Sequence, residues 1–207
     1  MLHTIMGAER AMPWLALALG CGYLIGSIPF GIIIARLLGL GDLRRIGSGN
    51  IGATNVLRTG NKAAAFATMI FDALKGALPV LLFLNWGDLA AQAAGLGAII
   101  GHCFPVWLRF RGGKGMATYI GIMLGLSPIV GVLVCATWLV AAALTRMSSA
   151  AALVASALGP LWMIITGHLE GSLLAIVLGG LVWARHHANI ARILRGEEPR
   201  IGSKPRD

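Results

Sequence analysis

Long apolar runs alternate along this chain with short polar islands rich in glycine. The first run extends from Pro13 to about Leu40 and is interrupted by Gly26-Ser27-Ile28-Pro29-Phe30-Gly31. A proline inside a span kinks it and frees a backbone carbonyl, and Ser27 is expected to bond its own backbone. A polar island follows, then a second span from about Ala63 to Trp86 carrying Asp72 and Lys75. Set at i, i+3, these opposite charges share a helix face. Charges inside a span are costly unless they pair, so we read them as a structural pair facing the interior. After a turn at Gly87-Asp88, a third span from about Leu89 to Leu108 leans on Ala90, Ala91, Ala94, Gly95, Gly97 and Gly101, small residues that let helices approach closely.

From Ala117 to Leu144 the chain is apolar throughout, with Ser127-Pro128 in the middle and basic residues at both ends. One span would place one basic cluster on each side of the membrane; two helices meeting at Ser127-Pro128 keep both on one side. The first piece, about ten residues, rises only ~15 Å, roughly half a hydrocarbon core, and needs shelter from its neighbours. A polar corner at Thr145–Ser149 leads to a span from about Ala150 to Thr166. The chain turns at Gly167–Gly171 into a last span, about Ser172 to Arg185, which runs on into the tail. There His186, Asn189 and Arg192 repeat along one helical face, and Gly196 is the expected helix stop.

This pattern predicts an all-α polytopic membrane protein of about seven transmembrane helices, one of them short. With 57% hydrophobic and 12% charged residues and a mean hydropathy of +0.80, the composition agrees. No polar block is long enough for a second domain, so residues 1–207 are expected to form one unit. The first apolar run is too long for a cleaved leader, and Glu9-Arg10 is not a basic flank. With the N-terminus outside and the C-terminus cytoplasmic, every Lys and Arg except Arg10 and Lys75 falls on or near the cytoplasmic side. Topology therefore accounts for the net charge of +9 without nucleic acid. The 3 cysteines, Cys21, Cys103 and Cys135, are widely scattered in apolar segments, unlike a disulfide framework or metal site.

The candidate chemistry lies in the islands. Gly47–Gly60 (GSGNIGATNVLRTG) combines Gly49 and Gly52 with Ser48, Asn50, Thr54, Asn55 and Arg58. Glycines let a backbone present N–H groups to an anion, side-chain hydroxyls and amides can donate further bonds, and a guanidinium grips phosphate bidentately. No Lys-Ser/Thr pair follows, so this is no Walker-type loop. Arg109–Gly115 repeats the combination with Gly112, Gly113, Lys114 and Gly115. Arg146 and Ser148 add to it from the third island. All these islands fall at one membrane face, where Arg58, Lys114, His186 and Asn189 would surround one or two phosphates while one substrate end lies in lipid. No acidic cluster offers Mg²⁺ a site and no His/Glu or His/Cys grouping suits zinc. His186 is the one candidate base; a binding role for the His-Asn pair is favoured over proton abstraction, because a good leaving group reduces the need for a base.

Together GSGNIGATNVLRTG, GHCFPVWLRFRGGKGMAT and HHANIARILRGEEPRIG resemble, in chain order, the three signature motifs of the bacterial acyl-phosphate-dependent glycerol-3-phosphate acyltransferases. DALKG, TRMSS and the SIP of the first span also match, so the resemblance covers nearly the whole chain. It implies a seven-helix enzyme of the cytoplasmic (inner) membrane with its active site facing the cytoplasm. Such enzymes transfer a fatty acyl group from acyl-phosphate to the 1-hydroxyl of glycerol 3-phosphate, without cofactor, giving lysophosphatidic acid and phosphate. Carried over by motif, Ser48 and Arg58 are catalytic, with Lys114, His186 and Asn189 beside them. Gly112, Gly113, Lys114 and Gly115 bind phosphate, and Glu198 is structural. The chain lacks the His-x4-Asp motif of the other acyltransferase class, since Trp107 stands five positions after His102. Partners are then the two substrates and the bilayer, with activity expected of a monomer. The rival classes are a transporter or channel for an anionic phosphorylated solute, and an accessory protein binding anionic lipid heads.

Overall fold

The computed structural model describes residues 2–202, with side chains described from residue 13 onward; the Glu9-Arg10 flank lies outside those described side chains. Among the described residues the secondary structure is helical: α1 (Leu2–Gly26), α2 (Phe30–Leu37), α3 (Ala53–Leu57), α4 (Lys62–Phe83), α5 (Asp88–Cys103), α6 (Met116–Leu126), α7 (Pro128–Thr145), α8 (Ser148–Ile165), α9 (Ser172–Arg185) and α10 (His187–Leu194). By length and composition 5 segments can cross a membrane: Pro13–Leu37, Lys62–Trp86, Asp88–Leu108, Pro128–Thr145 and Ser148–Ile165. Leu169–Arg185, which passes the same test only together with His187–Leu194 bent from it by 64°, adds a sixth apolar segment, and the short apolar helix Met116–Leu126 a seventh element. This is the predicted all-α arrangement, including the break at Ser127-Pro128, where Pro128 sits in the first turn of α7 and needs no N–H partner.

Two expectations change. The helix containing the first span begins at Leu2, so Pro13 lies inside it instead of opening it. The tail does not continue the last span: α9 ends at Arg185, and α10 leaves at an angle through His186. The cause is in the pattern of the tail, where polar residues alternate with Ile190, Ile193 and Leu194; such an amphipathic segment lies along an interface and not across it.

Close helix approach builds the bundle. Between α1 and α5, Gly22 and Gly26 face the carbonyls of Ala94 and Ala98, and Gly97 and Gly101 face those of Leu19 and Tyr23; a Cβ at any of the four would stand 2.0–2.2 Å from a carbonyl oxygen. These two small-xxx-small pairs dock backbone against backbone. The core beneath gathers Tyr119, Ile99, Ile122, Met123, Leu178 and Val182. Outside, large apolar residues such as Leu144 and Leu173 stay exposed, as lipid-facing residues do.

The break in the first span is closed by other helices. Ser27 Oγ donates to Leu24 O at 2.8 Å and accepts from Trp107 Nε1 at 2.8 Å. The Ile28 carbonyl accepts from Lys75 Nζ at 2.8 Å, and the same ammonium pairs with Asp72 Oδ1 at 2.6 Å. The expected Asp72–Lys75 pair therefore exists, buried, and also bonds the Ile28 carbonyl at the break before Pro29, which accepts from Phe30 N at 3.1 Å as well.

Candidate active site

The first glycine island folds around Asn55. This residue is 2% exposed; its Nδ2 donates to Leu43 O at 2.8 Å, and its Oδ1 accepts from Ser48 N at 3.3 Å and from Arg58 Nη1 at 3.2 Å. The sequence pattern counts Asn55 among the phosphate contacts, but its amide is engaged on both sides within the protein, so its part is to hold Ser48 and Arg58 in place. Gly47 has a φ of 51°, and a Cβ there would meet Arg58 Nη1 at 2.5 Å; only glycine lets the guanidinium lie across this turn. Ser48 is exposed. Asn50 Oδ1 accepts from Ile51 N at 2.8 Å, and Thr54 and Ser148 bond through their hydroxyls at 3.0 Å.

The second island differs from the expected phosphate nest. Gly112 N donates to Cys103 O at 3.1 Å and Gly113 N to His102 O at 3.0 Å. Their carbonyls accept from Arg185 Nη2 at 3.2 Å and Nε at 3.1 Å. With both N–H groups paired to the end of α5, Gly112 and Gly113 offer none to an anion. They are glycines because the chain passes too close to α5 for a side chain: a Cβ on either would lie 2.1 Å from a His102 atom. What the loop presents is Lys114, followed by Gly115 at the start of α6 with a φ of 90°.

The tail completes the site. Lys114 Nζ donates to Asn189 Oδ1 at 2.5 Å, and Asn189 Nδ2 donates to Glu198 Oε1 at 2.6 Å. Glu198 also accepts from Ser149 Oγ at 2.6 Å and from Arg192 Nε at 2.7 Å. Gly196, with a φ of 71°, ends α10 and turns Glu198 back toward Asn189. Arg146 joins through its carbonyl, which accepts from Ile201 N at 2.6 Å, while its guanidinium stays exposed. The four islands thus meet at one end of the bundle.

Local electrostatics follow from burial and crowding of cations. Burial lowers the Lys114 ammonium to about 8; Glu198 opposes the shift, while Arg192, Arg58 and Arg185 add to it. Burial likewise lowers Arg58, against the pull of Glu198 and with the push of Arg192. His186 lies just beyond the last span, where burial brings its imidazole down to about 4 against a hydrogen bond to Val182 O. That bond, 2.7 Å from Nδ1, has a carbonyl acceptor, so Nδ1 carries the proton and Nε2 is left as an acceptor. Burial acts to raise Glu198, but the bonds from Ser149, Asn189 and Arg192 outweigh it and hold the carboxyl below its ordinary value.

The family model for glycerol-3-phosphate acyltransferase matches residues 16–196. The chain belongs to the glycerol-3-phosphate acyltransferase family. It is 54% identical to the glycerol-3-phosphate acyltransferase of Sinorhizobium fredii over 95% of this chain and 97% of that one. To the enzyme of the same name from Cereibacter sphaeroides it is 56% identical over 88% of each. Among solved structures, that of PlsY (YgiH), an integral membrane glycerol 3-phosphate acyltransferase in its glycerol 3-phosphate form, is similar with a TM-score of 0.84 and 37% identity, covering 93% of this chain and 96% of that one. The lysophosphatidic acid form of PlsY matches equally well, with a TM-score of 0.84.

In this acyltransferase the packing brings Lys114, Asn189 and Glu198 into one hydrogen-bonded chain, with Arg58 close enough to be felt by Lys114. Sequence reasoning passed over Arg185, which clamps the Gly112 and Gly113 carbonyls and lies 5.1 Å over the Phe104 ring. The available signal was its position in the last turn of α9, directly before the His-Asn motif. Ser149, one residue beyond the expected Ser148, was the other omission.

Proposed function

We propose that this glycerol-3-phosphate acyltransferase takes its acyl group from acyl-phosphate and delivers it to the 1-hydroxyl of glycerol 3-phosphate, giving lysophosphatidic acid and inorganic phosphate. The observation that carries this reading is the charge balance: among the described residues Arg58, Lys114, Arg185 and Arg192 act on one another around a single carboxylate, Glu198. Such an excess of cations suits two phosphorylated molecules, which must be brought together against their mutual repulsion.

The glycerol hydroxyl oxygen attacks the carbonyl carbon of the acyl-phosphate, and the C–O bond to phosphate breaks with its electron pair leaving on phosphate. Arg58 and Lys114 stabilise that charge, and Ser48, on the turn held by Asn55, is within the same loop to orient a substrate. His186 Nε2 accepts the hydroxyl hydrogen bond and orients it. The proton goes to the substrate's own phosphate, because a phosphate with a second ionisation near ~6 is the stronger base beside an imidazole held at about 4. The acyl chain lies between helices, open to lipid. By the distribution of basic residues the site faces the cytoplasm from the inner membrane, and a single copy of the chain, residues 1–207, suffices without a cofactor.

Purified protein in detergent, given glycerol 3-phosphate with palmitoyl-phosphate, is expected to release lysophosphatidic acid and phosphate in equal amounts. Product formed only with an acyl thioester as donor overturns the assignment of acyl-phosphate.

A further inference from the structure

Beneath the Gly112–Lys114 loop lies a buried cluster that the proposed reaction leaves unused. Asp72 and Lys75 come from α4 and His102 from α5, and all three are at most 4% exposed. Lys75 joins Asp72 to the broken first span through Ile28 O. His102 Nδ1 stands 3.8 Å from Asp72 Oδ1, inside the reach of an ion–dipole attraction but beyond a direct hydrogen bond. Asp72 Oδ1 is held by Lys75 Nζ at 2.6 Å, whereas His102 Nδ1, sealed from solvent, has no hydrogen-bond partner among the described residues. Facing a carboxylate, the imidazole is turned so that its other edge is presented to the loop.

That edge determines where the loop can stand. A Cβ on Gly113 would fall 2.1 Å from His102 Nε2, so the ring lies directly against the Gly113 backbone, while Gly113 N donates to the carbonyl of the same histidine at 3.0 Å. From the other side Arg185 holds the Gly112 and Gly113 carbonyls. The next residue is Lys114, whose ammonium meets Asn189. A shift of the His102 ring is therefore passed through one peptide unit to the cation of the site.

We propose that Asp72, Lys75 and His102 are positioning residues of the acyltransferase: through the ring of His102 they set where Lys114 stands between the second and third islands. The inference rests on the reading of Lys114 as a phosphate ligand. Since a misplacement of about 1 Å at a reacting centre can cost roughly a hundredfold, even a small movement of Gly113 has a kinetic effect.

The test is a double-substitution cycle with Lys114. His102→Ala is expected to raise, by about tenfold, the KM of whichever phosphate substrate Lys114→Ala affects. In the Lys114→Ala background it should add nothing, because the loop then has no cation to place. Multiplicative effects, or a lowered melting temperature with both KM values unchanged, overturn the proposal and leave His102 as packing alone. Should His102→Ala fail to fold, the paired change Asp72→Asn with Lys75→Met removes both charges together and is taken through the same cycle. A raised KM that vanishes in the Lys114→Ala background then supports the proposal, and multiplicative effects overturn it. If the wild type does not use acyl-phosphate, the donor assignment fails by itself; the cycle is then run on glycerol 3-phosphate binding by calorimetry.

Discussion

Lys114 Nζ donates to Asn189 Oδ1 at 2.5 Å although 75 residues separate them. The contact joins the loop after α5 to the tail after α9, and through Asn189 Nδ2 it reaches Glu198. An ammonium in this place is held by one amide oxygen and crowded by three guanidinium groups, so it is poised to receive an anion.

Its titration gives a first prediction. Free enzyme loses the Lys114 charge as pH rises through about 8, well below its ordinary 10.5. If Lys114 binds a substrate phosphate as proposed, the KM for that substrate should rise above pH 8, and kcat/KM, which reports free-enzyme groups, should fall there. Lys114→Arg, which stays protonated, should lose this alkaline limb. For stability the sign is the reverse: between 8 and 10.5 the unfolded chain holds more protons, so folding is favoured increasingly across that window. A kcat/KM limb that persists in Lys114→Arg would assign the titration to another group.

His186 gives a second. Its imidazole is neutral down to about 4, so no acid limb near ~6.5 should arise from it in kcat/KM. His186→Gln, whose side chain can still accept from a hydroxyl, should keep much of the turnover and substrate affinity. Loss of turnover as severe as in Arg58→Ala, with affinity retained, would make His186 the base and refute the assignment of the proton to substrate phosphate.

Glu198 organises the tail by accepting from Ser149, Asn189 and Arg192. Glu198→Gln removes the charge that strengthens these bonds, and Glu198→Ala removes the acceptors; hydrogen bonds to charged groups each contribute about 1.5–3 kcal/mol. The alanine variant should melt at lower temperature, be cut more readily by protease after α10, and lose activity. Because the carboxyl is held below its ordinary 4.5, its stabilising contribution is complete above that pH and is lost as pH falls through the lower folded-state value. Equal melting of wild type and Glu198→Ala would show the tail to be held by other contacts.

Glycine substitutions should separate close packing from composition. Gly112→Ala places a methyl 2.1 Å from the His102 carbonyl oxygen, which the α5 backbone cannot yield without moving the loop. A rise in KM of at least about tenfold is expected. Gly180→Ala, in α9 with nothing within 4 Å of its Cβ, should leave both constants unchanged and slightly stabilise the helix. Similar kinetics for the two variants would mean that the loop is not constrained by α5.

Much of this protein is written in short-range pattern. The lengths of the apolar runs determine the spans, because an unpaired backbone in lipid must close its hydrogen bonds within a helix. The i, i+3 spacing of Asp72 and Lys75 determines their pairing, and Ser127-Pro128 between basic ends determines the hairpin. Ser48, Arg58, Lys114, His186 and Asn189 were identifiable as residue types capable of holding phosphate. Tertiary packing decided which of their neighbours face the site. Only the approach of the loop to α5 pairs the Gly112 and Gly113 N–H groups internally; only the fold around Asn55 withdraws that amide from solvent. The turn at His186 that brings Asn189 to Lys114, the recruitment of Arg185, and the meeting of Asp72 with His102 depend likewise on contacts between distant segments. Periodicity carries a residue's own helix and face; the partner on another helix is set by how closely glycine-lined backbones dock, and that distance is a property of the whole bundle.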